Sequence, residues 1–252
     1  MNQKSAELAK LNQQLESANR AKSQFVAAIS HELRTPLNIM VGNADVTRDG
    51  LFGELNHEQA DALEKISRYG RILMKMINDV LKLSRLDAKK NSLEVSSVAL
   101  NDVIAYAKAH VEQVNRDQHL EVLWDIDNSM PEIVTDALKL EEILQNLIGN
   151  AFKYTPAGRV EVRVRNLEEQ DRIEFSIADT GIGIDPSHLE KIFNEFEQVN
   201  GSKTQVNGGV GLGLSIVRKY LNLMQGDIRV ESRPGEGSIF TFSLPRSIPL
   251  DN

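Results

Sequence analysis

His31 stands in the run Phe25–Leu37 (FVAAISHELRTPL), two residues after Ile29 and two before Leu33. On a helix, at about 100° per residue, the imidazole lies roughly 200° from both apolar neighbours and faces water. Glu32 adjoins it and can take a proton from one ring nitrogen, leaving the other as a nucleophile. Pro36 falls inside the same helical pattern. Its missing N–H would have bonded the Glu32 carbonyl, which predicts a bend just past the histidine. A single exposed histidine is ordinarily surface decoration. A mid-helix proline, however, costs about 3 kcal/mol, and that favours a function for this turn.

Three further clusters carry polar chemistry. In the helical window Leu138–Tyr154, Glu142, Asn146, Asn150 and Lys153 share an arc of about 80°, opposite Leu140, Leu144, Leu147 and Ala151. Asparagine is a poor helix former, so two on one face beside a carboxylate and a lysine read as oxygen ligands for Mg²⁺ plus a phosphate contact. Plain amphipathicity is the bland alternative. In Ile173–Ile184 an apolar run ends in Asp179, followed by Gly181 and Gly183. A carboxylate there can accept from an exocyclic amine such as that of adenine; alone, it reads more simply as a turn. Finally, Gly208, Gly209, Gly211 and Gly213 open an apolar helix, and bare amides at a helix start suit phosphate. The spacing is neither the Rossmann fingerprint nor a Walker loop. The polar stretch Glu197–Asn207 before it reads as a mobile lid.

Two kinds of element must hold these groups. Residues 5–90 read as helix. Leu8, Leu11, Leu15, Ala18, Lys22, Phe25 and Ile29 form a heptad seam that continues through Leu33, Leu37 and Met40. Asp49–Asn56 reads as a turn with two glycines, followed by a second helix striped with Leu63, Ile66, Leu73, Ile77 and Val80. Two such stripes cannot cover each other fully, which predicts a four-helix bundle made by two chains. Beyond residue 91 the texture becomes short β-type runs (LEVSSV, EVLWDI, RVEVRV, RIEFSIAD, DIRVES and SIFTFSL) with helical windows near 100–115, 137–153 and 213–224. That pattern is α+β. The expected divisions are a coiled-coil signalling helix over 1–22, a helical-hairpin domain over 23–91 and an α/β-sandwich domain over 92–248.

Composition narrows the classes. The chain has 252 residues, no cysteine and a net charge of −7. Disulfides, thiolate metal sites and cysteine nucleophiles are therefore excluded. Residues 1–92 carry a net +3 and the remainder −10, so the acidic second part argues against nucleic acid as the main ligand. No apolar run approaches the ~18 residues of a membrane span, and the start lacks a signal-peptide core.

In order and spacing these clusters resemble the boxes of a two-component sensor histidine kinase. His31-Glu32-Leu33-Arg34-Thr35-Pro36 looks like the H box and Asn146–Thr155 (NLIGNAFKYT) like the N box. Asp179-Thr180-Gly181-Ile182-Gly183 resembles the G1 box, Ile192–Phe196 the F box, and Gly209–Leu214 the G2 box. The resemblance covers about residues 20–245 and implies a dimerisation and histidine-phosphotransfer domain followed by a Bergerat-type ATP-binding domain. By the family pattern His31 is the phosphoacceptor, Glu32 assists its deprotonation, and Thr35 positions water for phosphatase activity. Asn150, with Asn146, holds Mg²⁺; Lys153 contacts phosphate and Tyr154 covers adenine. Asp179 binds the adenine amine, Gly181 and Gly183 admit the nucleotide, and Gly209, Gly211 and Gly213 form the phosphate end of the lid. Phe193 and Phe196 anchor the lid's start. Two positions depart from the pattern: Val210 fills a slot usually small or polar, and Glu142 stands where glutamine is usual.

The implied activity is ATP-dependent autophosphorylation of His31 and transfer to an aspartate of a response regulator receiver domain. The implied setting is a cytoplasmic homodimer signalled by an N-terminal sensor module not contained in this sequence. A GHKL ATPase of the chaperone, mismatch-repair or topoisomerase type and a catalytically silent scaffold remain as alternatives at this point.

Overall fold

The computed structural model describes residues 3–87, 93–116, 118–197 and 211–248. The chain divides into two compact units, Met1–Ser92 and Leu93–Asn252. The first contains α1 (Gln3–Arg48) and α2 (His57–Asp87), joined by the turn over residues 49–56. Gly50 and Gly53 turn at φ +85° and +119°, where a side chain would be strained. Asn56 then caps α2 reciprocally with Gln59: the Gln59 N–H donates to Asn56 Oδ1 at 2.9 Å, and the Asn56 N–H to Gln59 Oε1 at 3.0 Å. No break falls at residue 22, so the expected signalling helix and the hairpin's first helix are one continuous element. That helix also runs on through Pro36, which removes a single ladder bond out of many.

The hairpin's inner face follows the stripes read from the sequence only in part. Leu37, Val41, Ala44, Ser67, Gly70 and Leu81 are buried. A Cβ on Gly70 would lie 2.3 Å from a Val41 methyl, so the missing side chain is what lets the helices approach. Ile66 and Leu73, expected on the packed stripe, are 51% and 48% exposed, and Phe25, Ile29, Leu33 and Met40 are exposed as well. Of the residues read on the two stripes, Leu37 is thus buried and Leu63, Ile77 and Val80 are half-buried, while Phe25, Ile29, Leu33, Met40, Ile66 and Leu73 lie outside the hairpin. The side chains of Leu8 and Leu15 lie outside the described residues.

Among its described residues, the second unit holds a five-stranded mixed sheet in the order β2-β4-β5-β7-β6 and a separate β1–β3 pair. The strands are β1 (Ser96–Ala99), β2 (Glu121–Ile126), β3 (Glu132–Thr135), β4 (Arg159–Leu167), β5 (Arg172–Asp179), β6 (Asp227–Arg233) and β7 (Gly237–Pro245). β2 runs parallel to β4; the other neighbours are antiparallel. Alternation puts Val160, Val162, Val164, Phe175, Phe240 and Phe242 in the core, with Phe175 and Phe242 stacked at 4.7 Å. The helices are α3 (Leu100–Val114), α4 (Ala137–Tyr154) and α5 (Gly213–Leu223). The short β3 was not legible as a strand: with four residues it is too brief for an alternating pattern.

α4 buries Leu140, Ile143, Leu144, Leu147, Ile148, Ala151 and Phe152. Each large apolar side chain stabilises by ~1.5–3 kcal/mol, which outweighs the ~0.7 kcal/mol or less lost at each asparagine. Its N-cap is Asp136, almost fully buried, which accepts from the backbone of Lys139 and of Glu94.

Candidate functional site

Asp179 closes β5 at 9% exposure. Strand register sets Ser238 of β7 opposite it, and the Gly181 N–H donates to its Oδ1 at 2.9 Å. Burial pushes the carboxyl above the ordinary carboxylate range; the Gly181 and Ser238 amides and the Thr155 hydroxyl pull it back without reversing the shift. It is a buried acceptor on a sheet end, and nothing cationic neutralises it among the causes of its shift.

The loop after Asp179 is stitched to its surroundings by backbone. The Ile182 N–H donates to the Tyr154 carbonyl at 3.1 Å, and the Gly235 N–H to the Ile182 carbonyl at 2.8 Å. A Cβ on Gly181 would lie 2.1 Å from the Tyr154 carbonyl oxygen, and one on Gly183 (φ +68°) 1.9 Å from the Arg233 carbonyl oxygen. The protein's own backbone thus demands both glycines. Sequence reasoning missed three residues here. A Cβ on Gly237 (φ +102°) would lie 1.9 Å from the Asp179 carbonyl oxygen. Ser232 accepts from the Ile184 N–H and donates to the Gly237 carbonyl. Ser238 supplies an amide to Asp179. The Pro234–Gly237 turn was their signal, legible only as a turn.

On α4, Asn146, Asn150 and Lys153 line the partly exposed face, as the helical wheel predicts. Asn146 Nδ2 donates to the Glu142 carbonyl at 2.9 Å, and a Cβ on Gly213 would lie 2.8 Å from Asn146 Oδ1. The start of α5 comes right against that amide, so a side chain at position 213 would push the Asn146 side chain aside. The Glu142 carboxylate accepts from the buried Tyr220 hydroxyl at 3.2 Å, so it joins α4 to α5. Lys153 Nζ sits 4.7 Å from the centre of the Tyr154 ring. At the far side, the Phe196 N–H donates to the Gly211 carbonyl at 3.2 Å, which brings the two ends of the 198–210 segment together. Gly211 (φ +78°) packs on the Glu197 backbone. Phe193 is buried with the Arg218 guanidinium over its ring. Phe196 is 60% exposed, and its tie to Gly211 is made by backbone. Gly208, Gly209, Val210 and most of the expected lid lie outside the described residues.

In the helical unit, His31 and Glu32 are 76% and 82% exposed, with Glu32 Oε1 3.6 Å from His31 Nδ1. Thr35 Oγ1 reaches the His31 carbonyl at 3.5 Å, a long bond within its own helix. Among the described residues no group of three or more His, Asp or Glu gathers as a metal cage, and no helix is long and apolar enough to cross a membrane.

The second unit thus carries a buried carboxylate at a sheet end, an asparagine-bearing helix and a glycine-bounded segment, and the first an exposed histidine on a helical hairpin. Residues 21–89 match the His Kinase A (phospho-acceptor) domain. Residues 135–248 match the histidine kinase-, DNA gyrase B- and HSP90-like ATPase. The chain is 39% identical over 235 residues to the non-motile and phage-resistance protein of Caulobacter vibrioides, covering 91% of this chain and 28% of that protein. It is 38% identical over 233 residues to the signal transduction histidine-protein kinase BarA of Escherichia coli, covering 91% and 25%. The structure of full-length ShkA in complex with AMPPNP matches at a TM-score of 0.75 and 31% identity, over 90% of this chain and 47% of that one. This chain belongs to the sensor histidine kinases and comprises their transmitter module. It spans about a quarter of the length of these curated relatives.

Proposed function

We propose that this chain binds ATP in its second unit, phosphorylates its own His31, and passes the phosphoryl group to an aspartate of a response regulator receiver domain. The observation that carries this is the pairing, in one chain, of an exposed His31 with Glu32 at its Nδ1 and of an adenine-type acceptor, Asp179, with the Asn146–Asn150 face. Glu32 beside Nδ1 favours Nε2 as the nucleophile. As the Nε2–P bond forms and the bond from the γ-phosphorus to ADP breaks, the electron pair leaves with ADP. The Nδ1 proton passes to Glu32. Burial makes Asp179 a fixed acceptor for the adenine amine. Lys153 and the start of α5 face the phosphate end, and Tyr154 lies against the base. Neutral side-chain oxygens from Asn150 and Asn146 fit a hard cation that arrives with the triphosphate, and among the described residues no acidic cage competes for it. Bound Mg²⁺ would neutralise phosphate charge.

Thr35, one turn from His31, has only a long bond within its own helix, so its hydroxyl is available to hold water against a regulator's aspartyl phosphate. A solved complex of the kinase ThkA with the response regulator TrrA shares the fold, at a TM-score of 0.64. The exposed stripes of α1 and α2 fit a homodimer, with a sensor module acting through α1. ATP and a receiver domain are both reagents of the cytoplasm, which supports a cytoplasmic module.

Incubation with γ-labelled ATP tests the reading. The chain should take up acid-labile, base-stable label, and His31→Gln should abolish it while nucleotide binding persists. Undiminished label in His31→Gln would remove the phosphoacceptor assignment; turnover of ATP with no protein-bound label would favour a simple ATPase.

A further inference from the structure

One polar tie crosses the hairpin close to the histidine and has no part in the chemistry above. Arg34 Nη2 of α1 donates to Asn78 Oδ1 of α2 at 2.8 Å. Arg34 lies three residues beyond His31, so the two share a helix face with Cβ atoms ~5–6 Å apart. It is the only Lys or Arg between Lys22 and Arg48. Among the described residues no carboxylate pairs with it.

A phosphoryl group on an imidazole nitrogen carries close to two negative charges, and Glu32 beside it adds another. A guanidinium offers several N–H groups in a rigid fork that matches phosphoryl oxygens. Asn78 occupies one of those N–H groups with a neutral oxygen, so it orients the guanidinium without quenching its charge. An aspartate in that place would hold the arginine equally well and neutralise it. We propose that Arg34, oriented by Asn78, is the cationic seat for the phosphoryl group carried on His31. The proposal rests on His31 being the phosphoacceptor. It adds no bond-making step: the N–P bond forms and the bond to ADP breaks as above, and Arg34 donates hydrogen bonds to the transferred oxygens.

The test uses the whole chain and γ-labelled ATP, reading the initial labelling rate, the KM for ATP and the thermal midpoint. Arg34→Gln should label roughly tenfold more slowly, the factor one charge-assisted hydrogen bond carries, with KM for ATP unchanged. Arg34→Lys should recover part of the rate. Asn78→Asp is the deciding variant. It keeps the tie between helices and should hold the thermal midpoint, but it places an anion on the guanidinium and should slow labelling. If Asn78→Asp labels at the wild-type rate, Arg34 is a strut between α1 and α2 and the proposal fails. Equal labelling of Arg34→Gln and wild type overturns it too, leaving the His31 reading intact. A wild-type chain that takes no label overturns the His31 reading and this one together.

Discussion

At the scale of single residues, Asp179 and Gly237 concentrate what the site requires. Asp179 is held above the ordinary carboxylate range by burial, so it takes up a proton earlier than an exposed acid as pH falls. Nucleotide affinity should therefore weaken as pH falls, beginning above the ~3.9 of an ordinary aspartate. Stability linked to this group runs the other way: it is present below about 3.9 and lost as pH rises through the raised value. A fluorescent ATP analogue titrated at several pH values checks the affinity. Asp179→Asn should abolish binding at all of them, since an amide turns a donor toward the adenine amine. Gly237→Ala tests the backbone contact. The new Cβ would meet the Asp179 carbonyl 1.9 Å away, at φ +102°. Strained backbone of this kind costs about 1–3 kcal/mol, so denaturant unfolding should shift by at least that much. An unshifted midpoint would show that the turn relaxes freely.

At the scale of elements, α4 is held at its start by Asp136. Burial pushes that carboxyl up, but the Lys139 ammonium and the Glu94 and Lys139 amides outweigh it and hold the acid below its usual range. The stabilisation from Asp136 is present above about 3.9 and lost as pH falls through its lowered value. Asp136→Ala should destabilise the second unit by about 1–2 kcal/mol at neutral pH, as removal of an N-cap does. The gap from wild type should close in strong acid. Thermal unfolding across pH measures both effects, and a gap that stayed constant with pH would show that the carboxylate's charge contributes nothing. The same cap joins Glu94, at the entry to this unit, to the helix bearing Asn146 and Asn150.

For the whole molecule, the exposed apolar residues of the hairpin bear on the homodimer proposed above. Phe25, Ile29, Leu33, Ile66 and Leu73 lie exposed although the inner faces of α1 and α2 are already packed on each other. Burying each against a second copy gains ~1.5–3 kcal/mol. Light scattering should give twice the chain mass at micromolar concentration. The double variant Ile66→Glu, Leu73→Glu should give the chain mass and keep its helical circular dichroism, because neither side chain supports the hairpin interior. A wild type of single-chain mass would remove the homodimer.

The order of the elements and the chemistry of the site are largely legible in the amino-acid sequence itself. Helix and strand periods are local, and Asn146, Asn150 and Lys153 fall on one face by arithmetic alone. His31 faces water for the same reason. What sequence could not decide is which of two apolar stripes a helix buries first. On α2 the close approach of Gly70 to Val41 turned Ser67 and Leu81 inward and left Ile66 and Leu73 outside, a matter of steric fit between distant segments. The reason for the glycines was likewise hidden. Gly181, Gly183 and Gly237 are demanded by carbonyl oxygens of Tyr154, Arg233 and Asp179. Each of the three carbonyls lies far along the chain from its glycine, so the pairs meet only once the unit has folded. Arg34 and Asn78 are separated by 44 positions and meet only because α1 and α2 fold back at the 49–56 turn, so no local pattern could pair them.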